Sequence, residues 1–115
     1  MADRPGQRPD PAAGSAPLSV WIEAEEWGDP WDPRDEASDV LVTLPDGSRW
    51  IATFVAYDHV PTLVQRNRES GECLAGTYLW ATDLVLVQEI TRATIEAVVA
   101  DLVRDGGFES AFTRE

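Results

Sequence analysis

The fold of this chain is decided by residues 78–112, which read YLWATDLVLVQEITRATIEAVVADLVRDGGFESAF. Within this stretch, the branched run Leu84–Val87 is too short for a helix and is bounded by polar residues, which is typical of a strand buried on both faces. The sequence therefore predicts that this strand lies in the middle of a sheet. Residues 78–80 are predicted to form a short strand that leads into it.

A helix is predicted directly after this strand. Apolar residues recur there at intervals of three and four, as one buried face of a helix requires; they are Ile95, Val98, Val99, Leu102 and Val103. Thr91 is placed to cap the free amides of the first turn, and Gly106 can adopt the left-handed conformation that ends a helix. Phe108 and Phe112 continue the apolar surface, so we expect this helix to pack across one face of the sheet.

The preceding residues predict three strands and a second, short helix. Residues 18–27 alternate apolar and polar side chains, which indicates a strand with one face in the core. Residues 40–44 and 49–57 are rich in branched and aromatic side chains, and the turn Pro45-Asp46-Gly47-Ser48 joins them as a hairpin. Residues 58–71 predict a short helix that Pro61 opens and Gly71 closes. The predicted fold class is α+β, with a mainly antiparallel sheet of about five strands.

Length and composition indicate one domain. The chain has 115 residues, 43 % of them hydrophobic, and its single cysteine excludes an internal disulfide. Residues 1–17 contain four prolines and small residues without apolar periodicity, which predicts a disordered leader before a domain spanning residues 18–115. Because there is neither a signal-peptide pattern nor an apolar run of about 18 residues, we expect a cytoplasmic protein.

The net charge of -12, from 21 acids and 9 bases, limits the possible partners. Eight of the acids lie between Glu23 and Asp39, where Arg34 is the single base. Such a field repels phosphate backbones and anionic membranes, so neither nucleic acid nor a membrane is an expected partner. No metal or cofactor is predicted either, because one histidine and one cysteine fall short of a zinc site and no glycine-rich phosphate loop is present.

The acidic stretch also carries tryptophans, and this combination suggests a binding surface for a basic protein partner. Aromatic anchors ringed by charge are typical of interface hot spots. The candidate residues are Trp21, Glu23, Glu25, Trp27, Asp29, Trp31, Asp32, Asp35 and Glu36. The alternative is that the indoles cover the sheet and the carboxylates are simply solvated.

A second hypothesis is a small isomerase-like or cyclase-like enzyme, or a ligand-binding protein, with an aromatic pocket on the sheet. Glu23 or Asp83, held against apolar rings, would then act as a general acid or base. The pocket would be lined by Trp21, Trp50, Tyr57, Tyr78 and Trp80. This hypothesis requires that the rings surround a hollow with a carboxylate at its wall.

The last third of the chain resembles a group of small uncharacterised bacterial α+β proteins. The resemblance rests on Tyr78-x-Trp80-x-x-Asp83, on Glu89-Ile90-x-Arg92-x-x-Ile95-Glu96 and on Phe108-Glu109-x-x-Phe112. It implies the boundaries drawn above and no catalytic residue. In its size, acidity and low cysteine content the chain is also loosely similar to toxin-immunity proteins, which implies an inhibitory role against a basic partner.

Overall fold

A computed structural model describes residues 18–115. The strands in this part of the chain are β1 (Ser19–Ile22), β2 (Ala37–Thr43), β3 (Arg49–Ala56), β4 (Leu84–Val87) and β5 (Thr113–Arg114). The helices are α1 (Val60–Ser70), α2 (Glu72–Gly76), α3 (Arg92–Asp105) and α4 (Phe108–Ala111), and two 3-10 turns span Glu23–Glu26 and Tyr57–His59. The leader predicted for residues 1–17 lies outside the described residues. Nothing among the described helices combines the length and the apolar character that a membrane span needs.

The five strands form one sheet, and the predicted α+β class is confirmed. The strand order is β1-β2-β3-β4, and β5 pairs with β3 beside β4. Every pair is antiparallel except β3 with β4, which run parallel. The prediction that residues 84–87 form the central strand is wrong, because β3 is central and β4 lies at an edge. The apolar run is continuous because Val85 and Val87 contribute to the core while Leu84 and Leu86 point to the other face.

The core lies between one face of the sheet and the helices α3 and α4. Alternate strand residues point into it, including Val40, Val42, Trp50, Ala52, Phe54 and Ala56. The helices contribute Ile95, Val99 and Phe108, and Phe112 directly after α4 adds to them, as the apolar spacing predicts, whereas Val103 in the last turn of α3 is exposed. The Thr91 hydroxyl accepts the Thr94 amide 3.2 Å away, and Gly106 ends α3 with φ 81°. Both predicted helix boundaries are therefore confirmed.

The segment between β3 and β4 explains why the strand predicted at residues 78–80 is absent. Pro61 and Gly71 bound α1 as expected, but α2 is a left-handed turn in which Cys73, Leu74 and Ala75 have φ near 50°. The chain then reaches β4 through an irregular, exposed stretch. On this side β3 is already paired, with β4 at residues 53–56 and with β5 at residues 50–51. A strand at residues 78–80 could therefore pair only with the outer edge of β4, and none does.

Candidate binding surface

The strand predicted over residues 18–27 is shorter in the structure and ends at Ile22. Residues 23–26 instead form a 3-10 turn. This turn is fixed by the buried Ala24, whose amide donates to the hydroxyl oxygen of Ser38 at 3.0 Å. Because the extended geometry stops at Ile22, Glu23 does not share a strand face with Trp21 and Trp27. The alternation of residues 23–27 reflects the turn and does not separate a buried from an exposed face.

Residues 27–36 form a loop, called the acidic loop below, that is anchored on the junction between β4 and α3. The indole N–H of Trp31 donates to the carbonyl of Ile90 at 2.9 Å, and the Ile90 amide donates to the carbonyl of Pro33 at 2.7 Å. The ring of Trp31 is half-buried against the core. These contacts join residues almost 60 positions apart. Trp31 is therefore part of the folded framework, and only the part of its ring that is not buried is open to a partner.

Trp27, in contrast, is held at the surface. Its side chain is 40 % exposed, and its ring stands edge-on to that of Trp31, with 6.0 Å between the centroids and 80° between the planes. Edge-to-face pairs of this kind contribute about 0.5–1.5 kcal/mol beyond the burial of area. The anchored indole of Trp31 thus supports the exposed indole of Trp27 from behind.

Arg92, at the first position of α3, ties the 3-10 turn to the helix. Its guanidinium donates to both carboxylate oxygens of Glu25, at 2.9 and 2.7 Å, to Glu96 at 2.8 Å and to the carbonyl of Val20 at 3.1 Å. The hydrogen bond from Arg92 holds the pKa of Glu25 below its usual value. Arg92 was not among the residues predicted for the site. One signal was available, because a cation in the first turn opposes the helix dipole and so needs a carboxylate nearby.

At its other end, the acidic loop is fastened to the start of α1. His59 is 2 % exposed and its Nδ1 lies 2.7 Å from Asp35, whose carboxylate also accepts the Thr62 hydroxyl at 3.0 Å. Since an ionised carboxylate only accepts, Nδ1–H is the donor. The hydrogen bond from His59, followed by that from Thr62, lowers the pKa of Asp35. A second, exposed contact places Arg34 3.5 Å from Asp58.

The predicted binding residues therefore separate into two groups. Several use their side chains within the fold: Glu25 pairs with Arg92, Asp35 with His59, Asp32 accepts the Arg34 amide and Glu36 accepts the Ala37 amide. Within residues 18–115, no ion pair or side-chain hydrogen bond involves the predicted Asp29, nor its neighbour Glu26, which was not among the predicted residues. Both are exposed and flank Trp27 in the sequence. The side chain of Trp21 lies on the face of the sheet that points away from the core.

A shallow groove of about 290 Å³ adjoins the anchored part of the loop. Its lining consists of Glu25, Pro30, Trp31, Pro33, Ile90, Thr91 and Arg92. The prolines and the indole make its walls rigid and apolar, while the Glu25 carboxylate stands at its margin. A groove of this kind can accept the aliphatic stem of a side chain that carries a charge at its end.

The residues proposed for an aromatic pocket do not converge. Trp50 is buried in the core, where its ring lies 5.6 Å from that of Phe108. Trp50 shares a sheet face with Val42 and Val20, whereas Trp21 shares the other face with Leu41 and Ile51. The remaining pocket candidates, Tyr57, Tyr78 and Trp80, are exposed. Glu23 follows the edge strand β1 and Asp83 precedes β4 at the opposite edge, so the two candidate carboxylates are also separated.

Among the described residues, no group of three or more His, Cys, Asp or Glu side chains is arranged to hold a metal ion. Comparison of the chain with protein-family models, with curated proteins and with solved structures finds no match.

Proposed function

We propose that this protein binds a basic protein partner through the surface formed by Trp27, Glu26 and Asp29, in the manner of an immunity protein or inhibitor. The observation that carries the proposal is the supported exposure of Trp27. A large indole stands partly in solvent, two exposed acids that flank it in the sequence have no cation partner within residues 18–115, and a second indole that contacts it is fastened to the core.

The support from Trp31 matters because ordering a side chain on binding costs free energy. Immobilising a flexible interface side chain costs about 0.5–1.5 kcal/mol. Trp27 already contacts Trp31 in the folded chain, so part of this cost is met on folding. A rigid aromatic anchor beside a rigid groove is the arrangement in which a few residues supply most of the binding energy.

The negative charges mainly raise the association rate with a basic partner and select that partner over others. A net charge of -12, with its greatest density at residues 23–39, attracts a basic surface and repels an acidic one. Of the acids in this stretch, Glu26 and Asp29 are those beside Trp27 that retain uncompensated charge within residues 18–115. Glu25 and Asp35 contribute to the field but are held by Arg92 and His59.

The test is a binding measurement against purified basic proteins encoded by neighbouring genes, with a poly-arginine peptide as the non-specific cation. For a true partner, Trp27→Ala should increase the dissociation rate at least tenfold, a loss of about 1.4 kcal/mol, and leave the association rate within twofold. The double variant Glu26→Gln, Asp29→Asn should instead lower the association rate and weaken its dependence on salt.

Trp80→Ala is the matched control, since Trp80 is 68 % exposed but lies outside the acidic stretch. It should bind as the unaltered protein does, and circular dichroism should show that each variant is folded. Loss of binding in Trp80→Ala with retention in Trp27→Ala would place the interface elsewhere. If poly-arginine binds as tightly as the protein candidates, the surface acts only as a non-specific polyanion and the proposal is wrong.

A further inference from the structure

The groove beside the acidic loop has apolar walls that the fold holds in place. Pro30, Pro33 and the part of the Trp31 ring that is not buried line it, together with the fully buried Ile90. Two hydrogen bonds, of 2.9 and 2.7 Å, fasten the loop to Ile90. The groove therefore exists before any partner arrives, and filling it orders few groups of this chain.

Arg92, which also lines the groove, does not make it a site for an anion. Its guanidinium is paired with the carboxylates of Glu25 and Glu96, at 2.7 and 2.8 Å. One base and two acids leave this cluster with one negative charge. An anionic group entering the groove would have to compete with both carboxylates for the same guanidinium.

Two acids beside the groove have no cation to balance them. Asp32 lies between two lining residues of the loop in the sequence, and Glu89 directly precedes Ile90. Because the Ile90 amide donates to the Pro33 carbonyl at 2.7 Å, the backbone segments that carry the two acids are neighbours. Asp32 accepts a backbone amide at 3.0 Å and Glu89 a threonine hydroxyl at 3.2 Å, but neither is in an ion pair within residues 18–115.

The size and chemistry of the groove favour an arginine side chain. Pockets for small molecules measure about 300–1,000 Å³, so a groove of about 290 Å³ suits a single side chain. An arginine can lay its apolar stem along the prolines and carry its charge to Asp32 and Glu89. Its guanidinium is planar and weakly hydrated and stacks on aromatic rings, here that of Trp31, whereas the compact ammonium of lysine is strongly hydrated.

We propose that the groove lined by Pro30, Trp31 and Pro33 is a subsite for one arginine side chain of the basic partner. The inference rests on the proposed function and adds the residue type that the partner presents. Asp32 and Glu89 are then specificity-determining acids of this subsite. They differ from the two acids that flank Trp27, so the two parts of the surface can be tested separately.

NMR titration of the isotope-labelled full chain with N-acetyl-arginine amide at low salt tests the subsite. The signals to follow are the indole N–H of Trp31 and the backbone amide of Ile90, both at the groove. We expect both to shift together, with a dissociation constant of about 1–10 mM for so small a ligand. The citrulline analogue, which has nearly the same shape and no charge, should bind about fivefold more weakly or worse, and the lysine analogue about threefold.

The variant Asp32→Asn, Glu89→Gln removes both charges and keeps an oxygen for each existing hydrogen bond. It should weaken arginine binding about threefold or more and leave citrulline binding within about twofold. The matched control is Glu72→Gln, Glu109→Gln, which removes two exposed acids on α2 and α4 and should leave arginine binding within about twofold. Circular dichroism should show that both variants are folded.

The subsite is refuted if citrulline binds as tightly as arginine, or if both pairs of substitutions weaken arginine binding equally. It is also refuted if arginine shifts only the signals around Trp27 and leaves those of Trp31 and Ile90 unmoved. In that last case the proposed function stands, because the acidic surface still attracts a cation. Conversely, if the groove takes arginine as described but no basic protein binds, the subsite is confirmed and the proposed function fails.

Discussion

Replacing Trp31 with phenylalanine tests whether the acidic loop is held by the contact on which the binding surface depends. The change removes the hydrogen bond from the indole N–H to the Ile90 carbonyl, 2.9 Å in length, while keeping an aromatic ring. Ile90 is fully buried, so its carbonyl would lose this partner in a site with little access to water. A hydrogen bond of this kind contributes about 1 kcal/mol, and leaving a buried acceptor unpaired costs about 1–3 kcal/mol. We therefore expect Trp31→Phe to destabilise the domain by about 1–2 kcal/mol.

Two measurements check this expectation. In chemical denaturation, the free energy of unfolding of Trp31→Phe should be about 1–2 kcal/mol lower than that of the unaltered protein. In a thermal melt, each kcal/mol lost should lower Tm by about 4–8 °C for a domain of this size. In hydrogen exchange, Trp31→Ala should accelerate exchange of the Ile90 amide, because the acceptor of that amide, the Pro33 carbonyl, lies on the released loop. Trp27→Phe is the matched control and should change stability by less than about 0.5 kcal/mol. If Trp31→Phe is as harmless as Trp27→Phe, and Ile90 exchange is unaltered, the loop is not held as we describe.

Two further predictions concern the clamp at Asp35 and the turn at Gly76. Because hydrogen bonds from His59 and Thr62 lower the folded-state pKa of Asp35, the carboxylate stabilises the fold above its unfolded pKa of about 3.9, and this contribution is lost as the pH falls through the folded value. The stability gap between the unaltered protein and Asp35→Asn, measured by denaturant titration, should therefore be present at pH 7 and shrink below about pH 4; a gap that does not change with pH would contradict the assignment. At Gly76, where φ is 81°, an added Cβ would lie 2.8 Å from the Val64 carbonyl oxygen, whereas Gly28, with φ 80°, has open space around it. Gly76→Ala should cost about 1–3 kcal/mol more than Gly28→Ala in the same assay, and equal costs would show that α2 is not packed on α1 as described.

Local sequence patterns were sufficient to predict the features that a few neighbouring residues determine. The Thr91 cap, the Gly106 stop and the turn at Pro45–Ser48 follow from the side-chain and backbone preferences of a few neighbouring residues. In that turn Gly47 has φ 87° and its amide donates to the Leu44 carbonyl at 2.9 Å, as a hairpin return requires. The apolar spacing likewise identified the buried side of α3, because burial along a helix repeats with its turns.

The remaining features depend on residues far apart in the sequence. Whether the run Leu84–Val87 is central or at an edge depends on which strands β3 has already paired, and β5 is a two-residue strand with no pattern of its own. The same applies to the binding surface. Trp31 and Trp27 look alike in the sequence, and only the carbonyl of Ile90, 59 positions from Trp31, distinguishes the supporting indole from the exposed one. In the same way, only the position of His59 distinguishes Asp35, which is paired with it, from Asp29, which has no such partner within residues 18–115.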